Sequence, residues 1–551
     1  MSLTSVRGNP SDTQPAPWRG TRGRLFAAAA VGGAWLLARG PAARAFSRRL
    51  LTTLRVANDG APFVGDGPSL TTLSPVTGRT AARLAFGLER SAIVTLSILE
   101  TGQGVASEKP STVAETALRE KTVSLTRGEH VLSWQPPTTL PPRTYIARIS
   151  AQANREPLQS MHVVVRVLGV DAAFAERSAV PGAPVTLVVR TDARAVTVQM
   201  LRSGPETAPT YANNEIRGIP VGDPLTVDWR KHSNAPAPIA LTVGSDWPSG
   251  IYAAQLTADD GRVGFAPLLV HPVAPTPTRV AVIIPTSTWG AYNFYDANGD
   301  GWGDTWYARW HTMHVDLTRP HASRGVPYRY RSYDLGFQHW LAQTGKEVDM
   351  YADEDLEAFA PADLRAAYDL LVFPGHTEYV TEALFDLVEG YRDLGGNLMC
   401  LSANNFFRRV DRTGHGISLI DEWRDLGRPE SSLLGVQYVA SDRGQRRGPF
   451  TVVGADVAPW AFVGTGLGNG STFGKYGIEI DARSEWFSPA NTQVLATITD
   501  LFGPGRSAEM TYYEHPSGAK VFSAGALDFG GQILLWPQTQ QILENVWQYL
   551  A

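Results

Sequence analysis

Only one cysteine, Cys400, occurs in the 551 residues. A lone thiol excludes an intrachain disulfide and any metal site built from cysteine pairs. Long runs of Lys or Arg are also absent, and 49 basic against 53 acidic side chains leave a net charge of -4. That balance excludes the basic surface of a nucleic-acid binder. After residue 45 no apolar run approaches the roughly 20 residues of a transmembrane helix. Glycine (53) and proline (38) are plentiful, in a chain that is 43% hydrophobic and 19% charged. Such residues suit turns between many short strands, and the length suffices for three or four domains.

Residues 1–45 read as an export signal. Arg19, Arg22 and Arg24 precede the apolar stretch Leu25–Ala38, which is too short for a comfortable span. An Ala-x-Ala site at Ala43–Ala45 follows, with cleavage expected after Ala45. The expectation is an exported protein, periplasmic or extracellular; the alternative is an N-terminal membrane anchor. Arg22 and Arg24 are not adjacent, so a twin-arginine route is not indicated.

From about 60 to 275 short alternating runs recur, among them Ala92–Leu99, Met161–Val170 and Val185–Thr191. Their length and spacing predict two Ig-like β-sandwich domains, 46–165 and 166–275. A turn followed by a Tyr-bearing strand appears twice, at Tyr145 and Tyr252. The Pro-rich linker His271–Arg279 leads into a different pattern. Val280–Ile284, Leu370–Phe373 and Asn397–Cys400 are unbroken apolar runs, as in a parallel sheet covered on both faces. Helical segments alternate with them. One of these has Thr381 as cap, Leu384, Leu387, Val388 and Tyr391 on one face, and Gly395 as stop. Residues 276–551 therefore read as a doubly wound α/β domain.

Ligands of such sheets bind beyond the carboxyl ends of the strands. The loops at those ends carry Tyr292, Asn293, His376, Glu378, Tyr379, Asn404 and Asn405. These are metal ligands, acid–base groups and amides, gathered from three distant segments. His376 and Glu378, two apart after a strand, face one side of an extended segment and suit one metal ligand and one proton carrier. Asp296, Asn298, Asp300 and Gly301 resemble the start of a calcium loop, but Tyr307 stands where its bidentate Glu belongs. An accessory calcium at Asp296, Asn298 and Asp300 and an ion-free Asx turn both stay open. Cys400 and Ser402 lack an elbow pattern, so Cys400 reads as a structural core residue.

The segments Ser287–Asn293, Gly375–Tyr379, Gly395–Asn405, Gly427–Tyr438 and Gly518–Phe529, in that order, resemble the C-terminal domain of the N,N-dimethylformamidase large (beta) subunit family. Asp246–Tyr252 resembles the sandwich that precedes it. The resemblance spans roughly 240 to 551 and implies a glutamine-amidotransferase-like α/β fold. It also implies hydrolysis of a small N-substituted amide at a mononuclear ferric iron held by two tyrosines and a glutamate. Carried over residue by residue, it implies Glu378 and Tyr292 as ligands and Tyr333 as the second tyrosine, with Tyr307 and Tyr295 as rivals. It further implies His376 as proton shuttle, Asn404 as substrate-carbonyl partner and Glu514 as an assisting carboxylate. Such an enzyme acts with a small partner subunit or as a homo-oligomer. Thr377 and Val380 depart from the family pattern, and the loop after Tyr292 is enlarged, with Trp302, Trp306 and Trp310. Those departures keep a second expectation open: an exported, non-catalytic binding or structural protein whose Trp-rich loop grips a carbohydrate or polymer. A third, a serine or cysteine hydrolase, would need a nucleophile that the sequence does not mark.

Overall fold

The computed structural model describes residues 49–74, 78–101, 115–210, 212–308, 312–442 and 444–551. The expected export signal and Trp310 lie outside the described residues. The chain is mostly strands in several sheets, with few helices. None of the helices among the described residues is long and apolar enough to cross a membrane.

Two pairs of sheets come first. A three-stranded sheet (Leu51–Asn58, Ala82–Leu88, Gly128–Trp134) faces a five-stranded one that runs from Leu70–Leu73 to Glu115–Leu125. Alternation of buried and exposed positions turns Leu84, Phe86, Val94, Leu96, Tyr145 and Val165 into one shared core. A second pair follows, with Pro184–Arg190 in a three-stranded sheet and Gly250–Ala258 central to a five-stranded one. Leu187, Val196, Trp229, Tyr252 and Leu268 fill the space between them. The repeated Tyr strand has the same anchor in both pairs. The Tyr145 hydroxyl donates to the Pro141 carbonyl at 2.7 Å, and that of Tyr252 to Pro248 at 2.8 Å.

The rest of the chain builds on a nine-stranded sheet. Its first five strands are parallel, in the order Asp349–Ala352, Val280–Ile284, Leu370–Phe373, Asn397–Cys400 and Lys520–Ser523. Every residue of Val280–Ile284 and Leu370–Phe373 is buried, as expected for strands covered on both faces. The sheet then continues antiparallel through Ala508–Glu514, Gln493–Ile498, Arg447–Val452 and Thr472–Gly477. The Glu382–Asp393 helix starts on Thr381, whose hydroxyl accepts the Leu384 amide, and buries Leu384, Phe385, Leu387, Val388 and Tyr391. A small four-stranded sheet (His314–Asp316, Gly416–Glu422, Arg408–Thr413, Tyr379–Val380) sits at the carboxyl edge of the parallel strands. It joins two of the strand-end segments: the Arg408 amide donates to the Glu378 carbonyl at 2.9 Å, and the Phe406 amide to that of Thr377 at 2.7 Å.

Candidate active site

Val280–Ile284 ends in a single short helix, Thr286–Ala291, that delivers Tyr292. Leu370–Phe373 ends in Pro374–Thr377 and delivers His376 and Glu378. The Tyr292 hydroxyl donates to Glu378 Oε2 at 2.6 Å. Tyr307, from the enlarged loop, brings its hydroxyl to 3.2 Å from both Glu378 oxygens. Its ring stacks on Tyr292 with centroids 4.3 Å apart, and Tyr328 stacks on Tyr292 at 5.4 Å. Tyr379 completes the group: its hydroxyl makes a short contact with that of Tyr307 and accepts from Trp306 Nε1 at 3.0 Å. Three phenols and one carboxylate thus converge.

Burial raises the Glu378 carboxyl above its ordinary value, against the pull of the Tyr292 hydrogen bond and the Arg408 charge. Burial, then the Glu378 charge, pushes the Tyr292, Tyr307 and Tyr379 hydroxyls well above the usual range. His376 points Nε2 between two carboxylates, 3.4 Å from Glu378 and 3.5 Å from Glu479, without a hydrogen bond. Burial lowers its imidazole to about 3, so it is neutral at ordinary pH. Asn404 donates its side-chain amide to Glu479 Oε2 at 2.8 Å and its backbone amide to Asp481 at 2.8 Å. Its Oδ1 is buried without a partner. This backbone is tightly turned: Asn404 and Phe406 both have positive φ, 56° and 57°. Asn tolerates that region; Phe rarely does, a strain typical of positions that a site over-determines.

The predicted residues therefore divide. Tyr292, His376, Glu378 and Asn404 come together. Tyr333 lies on the far side of His376, ring edge to ring face at 6.0 Å, with its hydroxyl beside Arg329 rather than Glu378. Tyr307, a rival, is the tyrosine that reaches Glu378. Tyr295 turns away, bonded to Asp171 at 2.8 Å and Arg190 at 2.9 Å. Glu514 is exposed at the end of its strand, accepts from Tyr512 at 2.7 Å and is not brought to the group. Asn293 organises the loop, accepting the Tyr295 and Ala322 amides, and Asn405 accepts the Thr377 amide. In the calcium-like stretch the Asp296 carboxylate accepts the amides of Gly299, Asp300 and Gly301, and Asp304 accepts those of Ala297 and Asn298. Cys400 is buried in its strand with its thiol pushed far up by burial, and Ser402 donates to the Leu527 carbonyl at 3.0 Å.

Glu479 and Asp481 are the residues that sequence reasoning missed. Both are held near 8, Glu479 by burial and then the Glu378 charge, Asp481 mainly by burial. Their signal was legible: in Gly477–Ala482 acid and isoleucine alternate, which puts both carboxyls on one face of a strand.

The set of oxygen donors suits a hard cation. Phenolate and carboxylate oxygens are hard ligands, and oxygens bound to one ion at roughly 2 Å stand about 3 Å apart. The contacts of 2.6–3.2 Å at Glu378 match that spacing. Among the described residues no group of three or more His, Cys, Asp or Glu is poised for a metal.

Residues 223–541 match the model of the family described as N,N-dimethylformamidase beta subunit-like, C-terminal. The N,N-dimethylformamidase beta subunit of Paracoccus aminophilus is 28% identical over 180 residues, covering 33% of this chain and 23% of that relative. The match thus spans about a quarter of that protein. A solved structure, Salmonella alpha-2-macroglobulin reacted with methylamine, aligns over 40% of this chain and 16% of that one, at 10% identity and a TM-score of 0.22. That likeness carries no argument about this fold. With more than half of its length inside the matched region, this chain belongs to the N,N-dimethylformamidase beta subunit-like C-terminal family.

Proposed function

We propose that this chain is a metal-dependent hydrolase of a small N-substituted amide. A single ferric iron would be held by Tyr292, Tyr307 and Glu378. The observation that carries the reading is the convergence of two tyrosine hydroxyls on one buried carboxylate at 2.6–3.2 Å. The relative's printed name, a dimethylformamidase beta subunit, supports the reaction class. When bound, the ion would supply Lewis acidity toward the amide carbonyl and toward a water.

The chain's own groups would do the rest. His376 is neutral, with Nε2 free to accept a proton from a water beside Glu378. Glu479, held near 8, keeps its proton at neutral pH and can deliver it toward a leaving amine. Asn404 is fixed at both amides, which aims its open Oδ1 at a donor on the substrate. Tyr379 and Trp306 brace Tyr307. Trp306 spends its N–H on that brace, which favours this reading over a sugar-gripping loop.

The same proposal takes the two sheet pairs as Ig-like sandwiches and the third region as amidotransferase-like, supported by the five parallel strands. It includes export directed by residues 1–45, a further subunit, and an accessory calcium only as a stiffener of the 296–304 loop.

The test is metal content and visible absorption of the purified chain. About one iron per chain is expected, with a phenolate-to-iron band. Glu378→Gln should lose the metal and at least ~10²-fold in activity. Full iron and full activity in that variant would overturn the proposal. Loss of the band in Tyr333→Phe but not in Tyr307→Phe would move the ligand role to Tyr333.

A further inference from the structure

A second charged feature flanks the aromatic stack. Arg329 stands where the chain enters the short Tyr330–Tyr333 helix, at a positive φ of 55°. Its Nε donates to the Tyr328 hydroxyl at 3.1 Å, and its guanidinium lies 5.5 Å from the Tyr328 ring and 6.0 Å from that of Tyr333. Tyr328 stacks on Tyr292, so one aromatic ring separates this cation from the proposed reaction centre. No carboxylate among the described residues lies within ion-pair distance of Arg329. Glu479 feels its charge, but Glu479 Oε2 is already taken by Asn404 and faces His376.

A second guanidinium converges on the same place. Gly444 has a φ of +82°, and a Cβ placed on it would lie 3.8 Å from Arg329 Nη1 and 3.9 Å from Arg447 Nη2. Both guanidinium groups thus lie within 4 Å of one point beside Gly444, which Ile478 also borders at 3.4 Å. Arg447 pairs through Nε with the buried Asp528 at 2.7 Å, and its side chain keeps a third of its surface exposed. Arg446, next to it, turns to Asp442 at 3.1 Å instead. Two cations and one carboxylate leave a net positive charge at the rim of an otherwise acidic site.

Holding two guanidinium groups together without a second anion is unfavourable unless an anion joins them. The planar donors of arginine match a carboxylate in geometry. We propose that Arg329 and Arg447 form the receptor for a carboxylate carried by the substrate, so that the preferred amide is an anionic, N-acyl amino acid-like compound rather than a neutral one. This rests on the amide-hydrolase reading above.

The test compares N-formylglycine with the neutral N-methylformamide on the iron-loaded chain. The wild type should favour N-formylglycine in kcat/KM. Arg329→Gln should lower the ratio of the two kcat/KM values roughly 10- to 100-fold, chiefly through KM for the anion, and high salt should lower it in the wild type. Arg329→Lys should restore part of the ratio. A wild type without preference, or an unchanged ratio in Arg329→Gln, would overturn the proposal. If neither compound is hydrolysed, the amide-hydrolase reading fails and calorimetric binding of N-formylglycine decides the site by itself. Saturable binding, lost in the Arg329→Gln, Arg447→Gln double variant, supports the receptor; no binding, or binding equal in both proteins, overturns it.

Discussion

At the scale of single residues, acidity has been displaced by burial. Asp334, 1% exposed, accepts only the Trp289 indole at 3.3 Å and has its other oxygen packed against Gly375. Burial raises its carboxyl to about 8. The unfolded chain loses this proton near the ordinary value of 3.8, the folded chain only near 8, so folding is progressively disfavoured as pH rises between the two. Glu479 and Asp481 act in the same direction. Asp334→Asn removes one of these contributions. Urea unfolding at pH 5 and at pH 8.5 should show the variant gaining about 1–3 kcal/mol on the wild type over that interval. A parallel decline of both proteins would place the proton elsewhere. The legibility of the site also divides at this scale. Tyr292, His376, Glu378 and Asn404 stand at the ends of buried strands, where the pattern of apolar runs locates them. Tyr307 and Tyr333 lie in the long stretch after Tyr292, which has no period to say which ring turns inward. Glu479 comes from a strand remote in sequence, on a sheet edge that hydrophobic pattern alone does not position.

At the scale of elements, the stretch from Asp296 to Asp304 acts as a splint. Its side chains cap its own amides, which makes it stiff, and its outer face rests on the first sheet pair. The Thr101 hydroxyl donates to the Gly301 carbonyl at 2.8 Å in a buried contact. A Cβ on Gly301 would meet Ile146 at 2.6 Å, and one on Gly299 would meet Leu70 at 2.7 Å, so only glycine allows this approach. Thr305, Trp306 and Tyr307 follow directly. Thr101→Val keeps the shape but leaves the Gly301 carbonyl buried without a donor. It should cost about 1–2 kcal/mol and speed amide exchange across residues 296–308. Exchange confined to its present rate there would show that the splint is held by other contacts. The α/β alternation was readable because Val280–Ile284 and Leu370–Phe373 are apolar throughout. The antiparallel half of the nine-stranded sheet was not, since in Arg447–Val452 and Thr472–Gly477 the buried aromatic and Val positions are interrupted by buried glycines and flanked by exposed Arg, Thr and Lys.

At the scale of the whole molecule, Arg49–Ala551 form a single compact unit. One core runs from Ile251, Phe265 and Leu269 of the second sheet pair into Val282, Trp289, Tyr330 and Trp340. The two sheet pairs are clamped by Asp192, whose carboxylate meets Arg79 at 3.2 Å and Arg262 at 2.7 Å and also accepts from Ser74. With Asp192 nearly wholly buried, Asp192→Ala would take from the buried Arg79 its carboxylate partner and leave Arg262 with Asp260 alone. A loss of about 3–5 kcal/mol in unfolding free energy is expected, against near-neutral effects at exposed pairs such as Arg230–Asp228. Equal effects at both sites would mean that water reaches Asp192.

The strand Lys520–Ser523 lies between Asn397–Cys400 and Ala508–Glu514, joining the parallel and antiparallel halves of the sheet. On a ribosome it emerges long after its parallel neighbour. Until then Leu398 and Met399 border an unpaired edge, and the two halves of the sheet have nothing between them. The nascent chain therefore carries an open, association-prone seam from the emergence of Asn397–Cys400 until that of Lys520–Ser523.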